Sequence, residues 1–394
     1  MLNTNRRRGL LAAAGTLTLG TTLAGVPAAY ANTTLPTSVR PTYQTNGRVS
    51  AILTIGGTTY LGGSFTSLRP AGAAAGTNEH PRAHLAALDA STGALKSWNP
   101  GADGAVRALV GSPGGGTVYA GGEFSKVGGQ TRHHVAALNP STGAVTGFNP
   151  SANLSVLSLA ATSSRIYLGG TFSTVAGQTR QRLAAVSTTG ALDGTWKPSA
   201  NATVRAVRLS PSASSVYVGG DFTAISGNTT QKRFAKLSPT NGAASSWSSH
   251  PTFPVYGIAA TTGQVFLGGN GAGGHAAAYT TSGGQQWIVQ TDGGVQAIAT
   301  RNGVVYVGGH FDNVCKGDST GATSGFNCPT VKATRHKLLA VNASTAALDP
   351  WAPNPNSTLG VWSLEAPGSL KVGGDFTQIG ANPRSNQQGY AQFG

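Results

Sequence analysis

From about residue 42 onward, hydrophobic positions come in short runs separated by stretches rich in Gly, Ser, Thr and Pro. Runs this short, bounded by turn residues, predict strands, and no stretch carries the longer period of a helix. The runs recur in a fixed order. Each unit opens on Val-x-small-aliphatic: Val49 to Ile52, Val106 to Leu109, Val156 to Leu159, Val204 to Val207, Val255 to Ile258, Val295 to Ile298 and Val361 to Leu364. A second run ends in a glycine pair, as in Tyr217-Val218-Gly219-Gly220-Asp221-Phe222-Thr223. A third follows a polar loop, as in Leu85 to Leu88, Val135 to Leu138, Leu183 to Val186 and Phe234 to Leu237. A closing segment carries Trp98, Phe148, Trp196, Trp247, Trp287 or Trp351, often two residues before a proline.

The glycine pairs are Gly62-Gly63, Gly121-Gly122, Gly169-Gly170, Gly219-Gly220, Gly268-Gly269, Gly308-Gly309 and Gly373-Gly374, spaced by 59, 48, 50, 49, 40 and 65 residues. Self-similarity at such a period marks a repeat architecture, because one small sheet cannot bury both faces alone. Seven units of four short antiparallel strands predict an all-β chain folded as a seven-bladed β-propeller of four-stranded blades. The last unit stops after its third run, Tyr390 to Phe393. The stretch Val39 to Tyr43, just before the first opening run, is therefore expected to cross the seam as outer strand of the last blade and close the ring. The glycines are expected to be structural, permitting close backbone approach, since a strand rather than a helix follows each pair and a phosphate-binding loop would need the helix.

The repeated string Tyr217 to Thr223, with near copies at Tyr119 to Ser125, Tyr167 to Ser173 and Lys371 to Thr377, resembles the delta-60 type repeat of bacterial β-propellers over about residues 42–394. That resemblance implies an extracellular propeller and names no ligand. The Gly-Gly strand ends are also kelch-like. Galactose-oxidase-like kelch enzymes hold copper with Tyr and His beside a Tyr-Cys crosslink, but both cysteines here lie in one insertion. Ala87-Leu88-Asp89-Ala90-Ser91-Thr92-Gly93 before Trp98 resembles the tryptophan-docking motif of quinoproteins, in which the aromatic packs between blades. The closing aromatics are expected to do the same.

Arg6, Arg7 and Arg8 precede an apolar run from Gly9 to Ala28, and Ala29-Tyr30-Ala31 has the small-x-small form of a cleavage site. Residues 1–31 are expected to be a signal peptide, with Arg7-Arg8 resembling a twin-arginine export signal and residues 32–394 forming the propeller. An uncleaved anchor is the rival. No transmembrane span is expected after cleavage, and the protein is expected to be a secreted or cell-surface monomer. Cys315 and Cys328, the only cysteines, sit in an insertion from about Asp312 to Thr334 and are expected to form a disulfide in an exported protein.

With 27 basic residues against 12 acidic ones, the chain stays strongly positive without the three leader arginines. Such a field favours an anionic glycan or cell-wall polymer, or it merely keeps the surface soluble; nucleic acid is not the expected partner. Walker and His-Glu-x-x-His motifs are missing from the sequence, and no cofactor or metal is expected. His80, His84, His133 and His134 read as solvated loop residues rather than metal ligands. Glu123, Asp221 and Asp375 each follow a glycine pair, where Ser64, Thr171, Asn270 and His310 stand elsewhere, and are expected to bond loop backbone. Arg82, Arg132, Arg180 and Arg335, with Arg233 and Arg384 less well aligned, either tie down their own hairpins or form a cationic ring.

A ligand site on a quasi-symmetric ring has to break the symmetry. The second position of the opening run reads Ser50, Arg107, Leu157, Arg205, Tyr256, Gln296 and Trp362, while its neighbours barely change. Innermost strands line the central channel of a propeller, so Arg107, Arg205, Tyr256 and Trp362 are the ligand-binding candidates, with blade packing as the alternative role. The cysteine insertion is a second candidate surface. The expected function is a non-catalytic binding or scaffold module. The alternative is an extracellular glycan hydrolase or lyase, or a copper or quinone oxidoreductase, with its site on one face of the ring.

Overall fold

The computed structural model describes residues 35–315, 328, 330–380 and 385–394. The expected signal peptide 1–31, most of the cysteine insertion and Arg384 lie outside them. Among the described residues every regular element is a strand, and no helix is long and apolar enough to cross a membrane.

Seven sheets share one plan, an inner strand paired antiparallel to a second strand and that to a third. The inner strands are Val49–Ile55, Val106–Gly111, Val156–Ala161, Val204–Leu209, Val255–Ala260, Val295–Arg301 and Val361–Glu365. Each second strand carries the glycine pair, ending on it in every sheet except the fifth, where Gln264–Gly271 runs past it. The third strands include Leu85–Asp89, Val135–Leu138 and Tyr390–Phe393. Successive inner strands lie side by side along the chain, and Val361–Glu365 lies against Val49–Ile55. Apolar clusters fill the gaps between sheets. Tyr119, Val135 and Ala137 pack on Val156, Leu159 and Leu168, and Tyr390 of the last sheet packs on Val49 and Leu61 of the first.

The glycine pair has two separate jobs. A Cβ on the first glycine would meet the opening valine of the following sheet: Gly62 with Val106 at 2.6 Å, Gly169 with Val204 at 2.6 Å and Gly308 with Val361 at 2.5 Å. Gly373 stands in the same relation to Val49, at 2.8 Å. A Cβ on the second glycine would run into the backbone carbonyl just before its own inner strand, that of Arg48 for Gly63 and of Ser155 for Gly170. The first glycine admits the neighbouring sheet and the second admits the chain's own backbone.

The fourth strand departs from expectation. Among the described residues only the fifth sheet has a full one, Gln285–Thr291; elsewhere the closing segment makes single bridges such as Leu88 with Leu95 and Leu138 with Val145. Proline accounts for four of these cases, while the fourth sheet, with Trp247-Ser248-Ser249-His250, lacks the strand without one. Trp98-Asn99-Pro100, Phe148-Asn149-Pro150, Trp196-Lys197-Pro198 and Trp351-Ala352-Pro353 each lose a ladder donor soon after the aromatic, whereas Trp287-Ile288-Val289-Gln290 does not. The N-terminal segment is likewise no regular strand. Arg40 N donates to Gln392 O at 2.9 Å, as Lys96 N does to Ala87 O, and then Tyr43 N turns to Gly93 O of the first sheet. Gln44–Thr45 pairs with Ser67–Arg69.

The closing aromatics pack across sheets, with Trp98 Nε1 donating to Asn139 O at 3.0 Å and Trp196 Nε1 to Ser238 O at 2.9 Å. The repeated arginines resolve in favour of tying. Arg82, Arg132, Arg180 and Arg335 each donate to the preceding carbonyl and to one in the closing segment, Lys96, Thr146, Asp193 and Asp349 respectively. Arg233 instead donates to Asp221 O at 2.8 Å. His84 and His134 are not simply solvated: their Nδ1 atoms lie 3.2 and 3.1 Å from Gly63 O and Gly122 O. Cys315 and Cys328 are bonded to each other.

One buried histidine makes stability pH-dependent. His275 is 4% exposed and stacked on Phe253 at 4.8 Å; Gln290 Nε2 lies 3.4 Å from its Nε2, while its Nδ1 has no partner. Burial pushes its pKa below the ordinary imidazole value. The unfolded chain then takes up a proton below about pH 6.5 while the folded one does not, so stability is level above that pH and falls as the pH drops. The expected loss is at most about 1.4 kcal/mol per pH unit for one such group. Urea midpoints between pH 7.5 and 5 measure it, and His275→Gln should flatten the acid limb.

Candidate functional site

The seven individual residues of the opening runs share a backbone peculiarity that alternation could not reveal. In every inner strand the register skips one residue between the valine and the small residue: Val49 pairs with Gly63 and Ala51 with Gly62, Val106 with Gly122 and Ala108 with Gly121. The same shift falls between Val156 and Ser158, Val204 and Ala206, Val255 and Gly257, Val295 and Ala297, and Val361 and Ser363. The skipped residue is always the variable one. A β-bulge re-aims its extra side chain. Here the bulges aim Ser50, Arg107, Leu157, Arg205, Tyr256, Gln296 and Trp362, all half-buried, into one cavity of about 450 Å³. Arg48 and Glu123 complete the lining.

Charge in this cavity is largely paired. Arg107 Nε donates to Glu123 Oε1 at 2.9 Å, and its Nη2 lies 2.9 Å from the same oxygen. Arg205 grips Asp221 with Nε at 2.9 and 3.0 Å from the two carboxylate oxygens and Nη2 at 2.8 Å. Its guanidinium also lies 4.3 Å above the Tyr256 ring. Burial disfavours the Arg205 charge, but Asp221 and Tyr256 outweigh it and hold the pKa above the ordinary guanidinium value. Glu123 and Asp221 therefore pair with the bulge arginines instead of bonding loop backbone as expected. Asp375, whose sheet has Trp362 in place of arginine, does accept from the backbone, at Leu359 N and Gly360 N, both at 3.0 Å.

Arg48 was not among the sequence candidates. Its guanidinium lies 4.4 Å above the Trp362 ring, and burial, together with the Arg107 charge, pushes its pKa down despite the opposing pull of Asp375 and Glu123. A signal for it existed. The residue before each opening valine reads Arg48, Ala105, Ser155, Thr203, Pro254, Gly294 and Gly360, so one side chain of seven is large. Gln296 is less available than its position suggests, because its amide, oriented with nitrogen toward these carbonyls, donates to Val361 O at 3.1 Å and to Leu359 O at 3.2 Å.

A larger hollow of about 850 Å³ lies between Ile55, Tyr60, Trp98 and Pro140, with Lys96 the charged residue in its lining. Its aromatic polar atoms are spent on structure, Tyr60 Oη donating to Pro140 O at 2.7 Å and Trp98 Nε1 to Asn139 O. The smaller cavity, lined by the variable positions, is the better candidate. Among the described residues no group of three or more His, Cys, Asp or Glu could hold a metal ion. Most of the cysteine insertion, the second candidate surface, lies outside the described residues.

No family model matches the sequence, and no curated protein matches it. Solved structures do match in fold. The WD40 β-propeller domain of Doa1 aligns with a TM-score of 0.56 and 11% identity, over 90% of this chain and 97% of that one. The computationally designed Ika8 protein aligns with a TM-score of 0.51 and 13% identity, over 90% and 98%. At such identities the likeness concerns the fold alone. This all-β protein is similar in fold to a WD40 β-propeller.

Proposed function

We propose that the chain is an exported, monomeric propeller of seven blades, of the delta-60 type, that binds an anionic or glycan-like partner in the cavity lined by Arg107, Arg205, Tyr256 and Trp362. Residues 1–31 act as its signal peptide, and the N-terminal segment around Arg40 closes the ring. The contact of Val361–Glu365 with Val49–Ile55 and the seat of Gly373 on Val49 support closure. A disulfide between Cys315 and Cys328 suits an oxidising compartment. One observation carries the binding reading: seven bulges deliver the seven variable residues to one cavity while the flanking valines stay buried. A binding role is favoured over hydrolysis because, among the described residues, Glu123 is the one carboxylate lining the cavity and Arg107 engages it. Cleavage of a glycoside needs two carboxylates across the bond.

Pull-down of the purified chain on immobilised acidic glycans and cell-wall material tests this reading. Retention by wild type and its loss in a Tyr256→Ala, Trp362→Ala double variant is the expected result. Loss at high salt is also expected, and retention indifferent to salt would remove the electrostatic part.

A further inference from the structure

We infer that the channel site recognises a single carboxylate on the end of an acidic sugar, with Arg48 as its ionic anchor beside Trp362. The inference rests on the channel reading above and narrows its ligand. Three guanidinium groups line or reach the cavity, and two already hold carboxylates, Arg107 with Glu123 and Arg205 with Asp221. Arg48 has none. The position after the glycine pair in its own sheet is Ser64 where the other two sheets have an acid. Arg48 is left as the guanidinium in the cavity with no carboxylate bonded to it, Asp375 and Glu123 attracting it only through space.

Arg48 is also set up to use that charge. Its guanidinium lies over the Trp362 ring, and a guanidinium can grip a carboxylate with two parallel bonds. Among the described residues its guanidinium makes no hydrogen bond or ion pair, and its Nε is buried and unmet. Two more polar atoms in the same wall are unmet, Ser50 Oγ and Trp362 Nε1. The aromatic faces of Trp362 and Tyr256, with hydroxyl and amide groups around them, suit a ring bearing hydroxyls.

The charge balance also says what does not fit. A polyanion needs a row of open cations, and Arg107 and Arg205 are occupied. A phosphate monoester carries about −1.5 to −2 charges, more than one open guanidinium balances. The net positive charge of the whole chain therefore brings acidic ligands near, while the cavity accepts one carboxylate.

Titration calorimetry on the purified chain with glucuronate, galacturonate, the methyl ester of glucuronate, glucose, glucose 6-sulfate and glucose 6-phosphate tests the inference. Glucuronate or galacturonate should bind at least about tenfold more tightly than the ester and glucose, the scale of one charge-assisted bond. Arg48→Met should lose that advantage with its melting temperature kept, and Arg48→Lys should recover part of it. Glu123→Gln, which frees Arg107, should admit glucose 6-phosphate. No binding of either acidic sugar, tighter binding of the sulfate, or unchanged affinity in Arg48→Met overturns the inference. If ester, glucose and acid bind alike and Trp362→Ala abolishes all three, the channel reading survives and the carboxylate falls. If Trp362→Ala leaves glucuronate binding untouched, both fall.

Discussion

Gly170→Ala should lower stability by about 3 kcal/mol, at the upper end of what one added methyl group in a packed site costs. The new Cβ would lie well inside contact with Ser155 O and 3.1 Å from both Ser155 C and Val156 Cα. All three are backbone atoms. They are pinned because Gly170 pairs with Val156 on one side of the bulge and Thr171 N donates to Ser155 O at 3.0 Å. Relief would require moving the entry to the inner strand, and with it the bulge that aims Leu157. Gly169→Ala should cost less. Its Cβ meets Val204 Cγ1 and Val207 Cγ2, both at 2.6 Å, and these are side chains. Combined with Val204→Ala, it should be less harmful than the two single effects added, by about 1 kcal/mol. Urea unfolding of wild type and the four variants decides the matter. A Gly170→Ala protein within about 0.5 kcal/mol of wild type, the range of an ordinary surface change, would show that backbone approach does not dictate the glycine.

Deleting the chain up to Asn46 should be the most damaging change of all, with a loss on the order of 5 kcal/mol. The segment joins the last sheet to the first. Arg40 donates through its backbone to Gln392 O and through its side chain to Gly394 O and Ser91 O, at 3.3 and 2.9 Å. Tyr43 N and Thr45 N bond Gly93 O and Gln388 O, each at 3.0 Å, and Leu35 is buried in the cluster that holds Trp351 and Phe393. Backbone bonds at about 1 kcal/mol each and the burial of Leu35 make up the figure. Removal would also expose the edge of Tyr390–Phe393, an unpaired strand open to association with other chains. Thermal melting and light scattering of the truncated chain, beside one starting at Thr33, measure both effects. Equal melting temperatures would mean that the segment fastens nothing.

Much of the architecture was legible from residue order. The valine openings, the glycine pairs and the third runs located the three principal strands of the seven sheets, because period and turn chemistry are local properties. The fourth strand was overestimated. Its aromatic announced a packing residue, but the proline two positions later set how far hydrogen bonding could continue, as the contrast between Trp98-Asn99-Pro100 and Trp287-Ile288-Val289 shows.

The candidate site was legible in a different sense. Disagreement among the repeats singled out Arg107, Arg205, Tyr256 and Trp362, and they do meet, but not with the freedom that their identities suggested. The partnership of Arg107 with Glu123 and of Arg205 with Asp221 has a trace in the sequence, since both pairs have the same separation and Trp362 replaces the arginine before Asp375. Arg48 stands just outside the repeated run, at the residue entering it, so comparison of the runs does not reveal it.

By itself the sequence determined the repeating strand pattern and the places where side chains could not be tolerated. Both follow from short-range sterics: an alternating run selects a pleated strand, and a glycine pair at one repeat position signals close approach. Only the tertiary structure decided which residues share a cavity and which charge in it stays open. Ser50 and Trp362 are far apart along the chain and line one space because Val361–Glu365 lies against Val49–Ile55. A bulge in every inner strand turns its variable residue out of the alternating pattern toward that space. Counting Arg107 and Arg205 gives two cations; seeing Glu123 and Asp221 against them leaves Arg48. Charge neutralisation is a matter of distance in space, and residue order fixes that distance only once the sheets have packed.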